Sequence, residues 1–221
     1  MIRADLHVHT CYSIDCYTPL EPIIDHCLNT GINCLAISDH NTVSGALKLK
    51  EIAPFKVIVA EEIRTSRGEL MGLFLTEEVP KGLSPEETIA RIRKQGGLVG
   101  IPHPFGREPP LSLRGEWRNL LSPEILAQVD IIEVFNSRDP LPNSSSKARR
   151  LAQDYGLAAS AGSDAHTLAE IGRTYVEMPE FSGPGDFLDS LSQGTIFGRK
   201  SSPLVHLAST WAKVSKRFRG V

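Results

Sequence analysis

Ile2-Arg3-Ala4-Asp5-Leu6-His7-Val8-His9-Thr10 is the stretch around which the chain is organised. Residues 2–6 read as a buried opening strand, and side chains two apart on a strand share a face, so Asp5, His7 and His9 are expected to lie together. Two imidazoles with a carboxylate beside them suit a divalent metal of intermediate softness. The alternative is a strand end that is simply polar, and the rest of the chain has to decide between them. Cys11 and Cys16 lie close enough to complete a mixed Cys/His zinc site, which stays open as a minority reading.

Working outward, strand and helix patterns alternate. A helix opens at Thr18-Pro19 and stops at Gly31; Asn33–Ser38 is a short apolar strand; Val43–Ile52 is a helix. Lys56–Ala60 is a strand ending in Glu61-Glu62, paired through Ser66-Arg67-Gly68 with a strand at Leu70–Leu75. Ser84-Pro85-Glu86-Glu87 has the pattern of a capping box and opens a helix ending at Gly96-Gly97. Strands follow at Leu98–Ile101, Asp130–Phe135, Leu157–Ala161 and Tyr175–Met178, with helices at Ser144–Tyr155, near Asp186–Leu191 and, basic and amphipathic, from Ser202. Apolar strands alternating with helices predict a parallel sheet covered on both faces or closed into a barrel. No repeat or linker divides the 221 residues, so one domain is expected, with residues 200–221 as a C-terminal basic helix.

The 24 Lys and Arg against 26 Asp and Glu leave a net charge of -2, which supplies no general attraction to nucleic acid or a membrane surface. Without an apolar leader or spanning run, a cytoplasmic protein with no membrane partner is the expectation. The four cysteines, Cys11, Cys16, Cys27 and Cys34, form no CxxC pair. Cys27 and Cys34 read as core.

Polar residues able to ligate metals follow almost every strand: His7 and His9, Asp39 and His40, Glu61 and Glu62, His103, Asn136, Asp164 and His166. Five of the seven histidines fall in such places. In a parallel barrel these points converge on the C-terminal rim, where reactive groups gather.

These residues carry a resemblance. Asp5-Leu6-His7-Val8-His9-Thr10, Ser13-Ile14-Asp15, Ser38-Asp39-His40-Asn41-Thr42, Glu62, Ile101-Pro102-His103-Pro104 and Gly162-Ser163-Asp164-Ala165-His166 together resemble the polymerase and histidinol phosphatase (PHP) superfamily. The resemblance implies an α/β fold, a distorted TIM-barrel-like (β/α)7 barrel with its active site at the C-terminal rim of the strands. It also implies two or three divalent metal ions, zinc, manganese or iron, and phosphoester hydrolysis. By position, His7, His9, Glu62 and Asp164 would hold one ion, Glu62 and His103 a second, and Asp15, His40 and His166 a third. Asp39 would orient a metal-bound histidine, and Glu62 is preferred to Glu61. One departure stands out: relatives often have a histidine where this chain has Met71, which would leave the second ion short of a ligand.

A phosphoester also needs cations beyond the metals, and Arg107 and Arg138, just past rim strands, are the candidates beside His103, with Arg173 less favoured. The loop from Arg107 to Trp117 is placed to fold over the mouth. The leading expectation is therefore a phosphoesterase acting on a small phosphorylated metabolite or nucleotide. A nuclease is the alternative, counted against by the charge balance. A metal-binding module without catalysis is a third. Lys213, Lys216, Arg217 and Arg219 give the last helix a basic face able to help receive a polyanion.

Overall fold

The structure is a computed structural model that describes residues 1–106 and 120–219. β1 (Ile2–Val8), β2 (Cys34–Ile37) and β3 (Lys56–Thr65) run parallel, joined by α1 (Leu20–Thr30) and α2 (Ser44–Ile52). α1 presents Leu20, Ile23 and Cys27 to the core and ends at Gly31, whose φ of 77° is the left-handed turn a glycine supplies without strain. β4 (Gly68–Leu73) turns back antiparallel to β3. α3 (Pro85–Lys94) follows, its start fixed by the reciprocal Ser84–Glu87 capping box. β5 (Leu98–Ile101), a single turn α4 (Pro123–Leu126), β6 (Ile131–Asn136), α5 (Ser144–Tyr155) and β7 (Ala158–Gly162) continue the parallel run. β8 (Thr174–Met178), α6 (Pro184–Ser192), β9 (Thr195–Gly198) and α7 (Val205–Arg219) complete the chain.

The sheet order is β7-β6-β5-β4-β3-β2-β1-β8-β9. It curls until the end of β7 meets β1: Asp164 donates its backbone N–H to the His7 carbonyl at 2.8 Å, and His9 donates to the Ala165 carbonyl at 2.9 Å. Gly162 permits this closure, since a Cβ there would stand 2.3 Å from the His7 Cβ. The result is the expected barrel-shaped mixed α/β sheet. Strand and helix do not alternate throughout, however. β4 is antiparallel to β3, because the Ser66-Arg67 turn is too short for the crossover a parallel connection needs, and it is antiparallel to β5 as well, across the connection that carries α3.

Alternate strand residues face two apolar layers. Leu35, Ile37, Val57, Val59, Ile132 and Val134 pack toward the helices, whereas Leu6, Ala36, Ala60, Met71, Leu73, Ile131 and Ala161 fill the other side of the sheet. Phe74, Phe181 and Phe187 pack with that second group, their rings in edge-on contact 4.9–6.2 Å apart. Two sequence expectations shift. β3 runs on to Thr65, so Glu61 and Glu62 lie within the strand, and β9, an exposed edge paired with β8, carried no strand signal of its own.

Candidate metal centre

The strand that opens the chain breaks its alternation where it matters. Ile2, Ala4 and Leu6 pack in one apolar layer and Val8 in the other, and the β1–β2 register is irregular between Asp5 and Val8. This bulge turns His7 and His9 together toward the mouth. Asp5 is thereby separated from them. It accepts from Ser163 N (2.8 Å), Ser163 Oγ (2.6 Å) and Gly172 N (2.8 Å), tying β1 to the loop after β7. Burial, opposed by these bonds, pushes its carboxyl up to about 6. The carboxylates beside the two imidazoles are instead Glu62 and Asp164.

Four donors converge at the inner end of the mouth. His7 Nε2 and His9 Nε2 are 3.1 Å apart. Glu62 Oε2 lies 3.5 and 3.4 Å from them, and Asp164 Oδ1 lies 3.8 and 3.4 Å. Donors placed ~2.1 Å from one cation at tetrahedral angles stand about 3.4 Å apart, so His7, His9 and Asp164 have the spacing of a divalent-metal site, with Glu62 joining His7 and His103 in an adjoining group. All four residues are buried. The other carboxylate oxygen of Glu62, Oε1, is 2.9 Å from His103 Nε2, and Oε2 is also 3.2 Å from His40 Nδ1. One carboxylate therefore touches four of the five histidines of the cluster. Farther out, Asp15 reaches His40 Nε2 through Oδ2 and His166 Nε2 through Oδ1, both at 3.2 Å.

The titration pattern is that of a site built for positive charge. Burial alone would raise the carboxyls of Glu62, Asp164 and Asp15, yet the surrounding imidazoles hold all three well below the usual range. Against the lowering effect of burial, the carboxylates raise His7 well above its ordinary value, His40 to about 10 and His103 to about 9. His9 goes the other way, to about 3, because burial and the neighbouring His166 both disfavour its charge. The buried Nδ1 of His9 has no hydrogen-bond partner among the described residues. A divalent cation could replace the shared protons of the others. The residues fit the group.

Among the described residues, three of the four non-glycine residues with positive φ lie here, Asn41 (56°), His103 (26°) and Asp164 (54°); the fourth, Phe74 (60°), packs against Phe181 and Phe187.

Glu61 points away from Glu62's cluster. Its Oε2 accepts from Val79 N at 2.9 Å, and burial pushes its carboxyl up to about 8. Asp39 does not orient a histidine: both its oxygens take bonds from Thr10, N and Oγ1, at 2.6 Å, and so brace the loop after β1. Cys16 is not a ligand either. Its thiol donates to the His166 carbonyl, and burial pushes it up to about 12. Cys11 is absent from the metal-competent clusters of the described residues.

Arg138 departs most from its expectation. It is 3% exposed, and every guanidinium nitrogen faces a protein oxygen: Nε to Glu170 Oε1 (3.3 Å), Nη1 to the Asp164 carbonyl (3.5 Å), Nη2 to the Val205 carbonyl (2.8 Å) and Ser209 Oγ (2.9 Å). It straps α7 to the rim instead of facing the mouth with free donors. Arg173 lies outside the mouth, with Nε bonded to the Ala169 carbonyl. Arg107 and the rest of the loop to Trp117 lie outside the described residues.

Two carboxylates at the site escaped the sequence reading. Glu133 accepts from the His103 backbone N–H (2.8 Å) and Asn136 Nδ2 (3.1 Å) through Oε2, and pairs through Oε1 with His7 Nδ1 at 3.0 Å. It thus sets the ring that turns Nε2 to the centre. Its signal was a lone carboxylate inside Ile131–Asn136. Glu69 shares a strand face with Met71 and joins His40 and Glu62 in a further group of potential ligands. Met71 itself lies opposite Glu62 in register and packs in the apolar layer below.

A barrel carrying a His/Asp/Glu cluster sized for metal defines the class, and comparison with known proteins defines the family. The PHP domain profile matches residues 5–81 and the PHP-associated profile residues 142–196. Uncharacterized protein MJ0417 of Methanocaldococcus jannaschii is 37% identical over 197 residues, 86% of this chain and 79% of that protein. Uncharacterized protein MJ1587 of the same organism is 40% identical over 158 residues, 65% of this chain and 88% of that protein. A crystal structure from Bacteroides vulgatus, a two-domain protein containing a predicted PHP-like metal-dependent phosphoesterase, superposes with a TM-score of 0.69 at 18% identity. It covers 90% of this chain, which spans 65% of that longer protein. The chain belongs to the PHP family.

Proposed function

We propose that this chain acts as one PHP-type unit that hydrolyses a phosphoester of a small phosphorylated metabolite or nucleotide in the cytoplasm. The observation that carries the reading is the bridging position of Glu62, with one oxygen on His103 and the other among His7, His9 and His40. Two or three divalent ions, zinc, manganese or iron, would be held by His7, His9, Asp15, His40, Glu62, His103, Asp164 and His166. When bound, such ions supply Lewis acidity and a hydroxide at neutral pH.

The chain's own residues do the rest. Glu133 fixes the His7 ring, and Asn136 Nδ2, 3.4 Å from Asp164 Oδ2, steadies that carboxylate. His103 would act in one of two ways: as a ligand through Nε2 or, where no second ion takes that nitrogen, as the protonated imidazole that gives a proton to the leaving oxygen. Arg107 is the candidate to hold a non-bridging oxygen, while Arg138 supports the chemistry by holding the Asp164 segment and α7 in place. Free cysteines and the lack, among the described residues, of a helix able to cross a membrane are consistent with the cytoplasmic setting.

A nuclease is the second reading. It is favoured by an open groove that leads away from Asp15 and His166 between Tyr17, Leu168 and Trp211, where a base could stack. With manganese or zinc the protein is expected to hydrolyse a chromogenic phosphate ester, and His9→Ala and Asp164→Ala are each expected to abolish turnover. Full activity in both variants would sink the assignment. A panel of nucleotides, sugar phosphates and short oligonucleotides separates the two readings.

A further inference from the structure

α7 has two sides of opposite character. One is tied to the barrel: Ala212 is buried, Lys216 Nζ donates to the Cys11 and Ser13 carbonyls at 2.7 Å, Ser209 bonds Arg138, and Ser215 Oγ lies 2.7 Å from Tyr17 Oη. The other carries Leu207, Trp211, Val214 and Phe218, exposed by 66%, 71%, 43% and 89%, and Leu204, 70% exposed, stands just before the helix. Spaced three and four residues apart, the four helical groups fall on a single line, and such an exposed apolar row calls for an occupant.

Charge identifies it. From Ser190 to the last residue the chain has six Lys and Arg and no Asp or Glu, so the preceding 189 residues carry -8. Lys213 and Arg217, both exposed, flank the apolar line. Pairing with the same helix of a second copy would bring cations together with no acid to answer them. An anionic bilayer surface answers both features at once: headgroup phosphates for the cations, and the headgroup–acyl boundary for Leu, Trp and Phe side chains. We propose that α7 docks this protein on an anionic lipid surface, lying in the plane of the interface. The charge contrast within the chain orients the approach, since the acidic body is repelled where α7 is attracted. Ala208, Trp211 and Ala212 also line the groove that opens from Asp15 and His166, so docking sets that groove beside the lipid. The overall charge of -2, which argued against a membrane partner, hides this segregation.

The test is co-sedimentation of the full chain with vesicles of phosphatidylcholine alone and of phosphatidylcholine mixed equally with phosphatidylglycerol. Binding is expected to the mixed vesicles, weakening as salt is raised, with a blue shift of tryptophan emission. Trp211→Phe should keep the binding and lose the shift. Lys213→Gln with Arg217→Gln should weaken binding by about fivefold per charge, and Leu207→Ser with Phe218→Ser should abolish it, with circular dichroism confirming an intact fold in each. Equal binding to both vesicles, or to neither, overturns the proposal. So does a dimer, or a complex with an oligonucleotide, that the Leu207→Ser/Phe218→Ser variant loses.

Discussion

The inner and outer halves of the cluster are held by different means. His7, Glu62 and Asp164 sit on or directly beside barrel strands, and Glu133 and Asn136 bond two of them from behind. Asp15 comes from the loop between β1 and α1, where Ser13 Oγ donates to it at 2.9 Å, and His40 from the loop before α2; their side chains are 12% and 17% exposed. The inner half is thus held from strands, whereas two of the three outer donors come from loops; the third, His166, follows β7 with its side chain only 3% exposed. Rigid strand placement favours tight binding and defined geometry, and loop placement favours exchange.

Asp15→Asn tests this contrast most severely. It is expected to remove one ion per chain and lower kcat by about a hundredfold while the inner ion stays, read by elemental analysis beside steady-state rates. Loss of every ion would erase the distinction. Glu133→Gln addresses the support behind the inner half. Affinity for the inner ion is expected to fall by about 10–100-fold, with outer-site affinity unchanged, measured by competition with a chelator. An unchanged affinity would mean that strand placement alone suffices.

The smallest effect concerns the strand that carries Glu62. Burial raises the neighbouring Glu61 to about 8, so the folded state holds its proton where the unfolded chain has released it. Stability conferred by the neutral form is therefore present at acid pH and is lost as pH rises from about 4.5 through about 8. Glu61→Gln is expected to be more stable than the parent by about 1–2 kcal/mol at alkaline pH, the gap closing toward pH 5, as followed by urea unfolding.

Most of the candidate site was readable because its chemistry-bearing residues follow apolar strands in one order, and strand ends of a barrel share a rim. His7, His9, His40, His103, Asp164 and His166 needed only that argument. Glu62 is preferred to Glu61 because its Glu-Ile context matches the family motif, while the opposite orientation of adjacent strand residues means that only one of the two could face the site. Glu133 and Glu69 could not be found this way, since a single carboxylate within a strand has no local feature that says what lies across the barrel. β9 was missed for a related reason: Thr195–Gly198 has little burial of its own, and its pairing with β8 makes it a strand.

The sequence by itself determined most of the strands and helices and which residue types crowd the strand ends, which follow from periodicity and local motifs, while the choice of a barrel over an open sheet comes from the family resemblance. Tertiary structure alone decided the bulge that parts Asp5 from His7 and His9, the turning of Asp39 to Thr10, the strapping of α7 by Arg138, and the exposed apolar line of that helix. Each of these depends on which group a side chain meets from a distant segment. Periodicity carries a face, and only the closed fold supplies its neighbour.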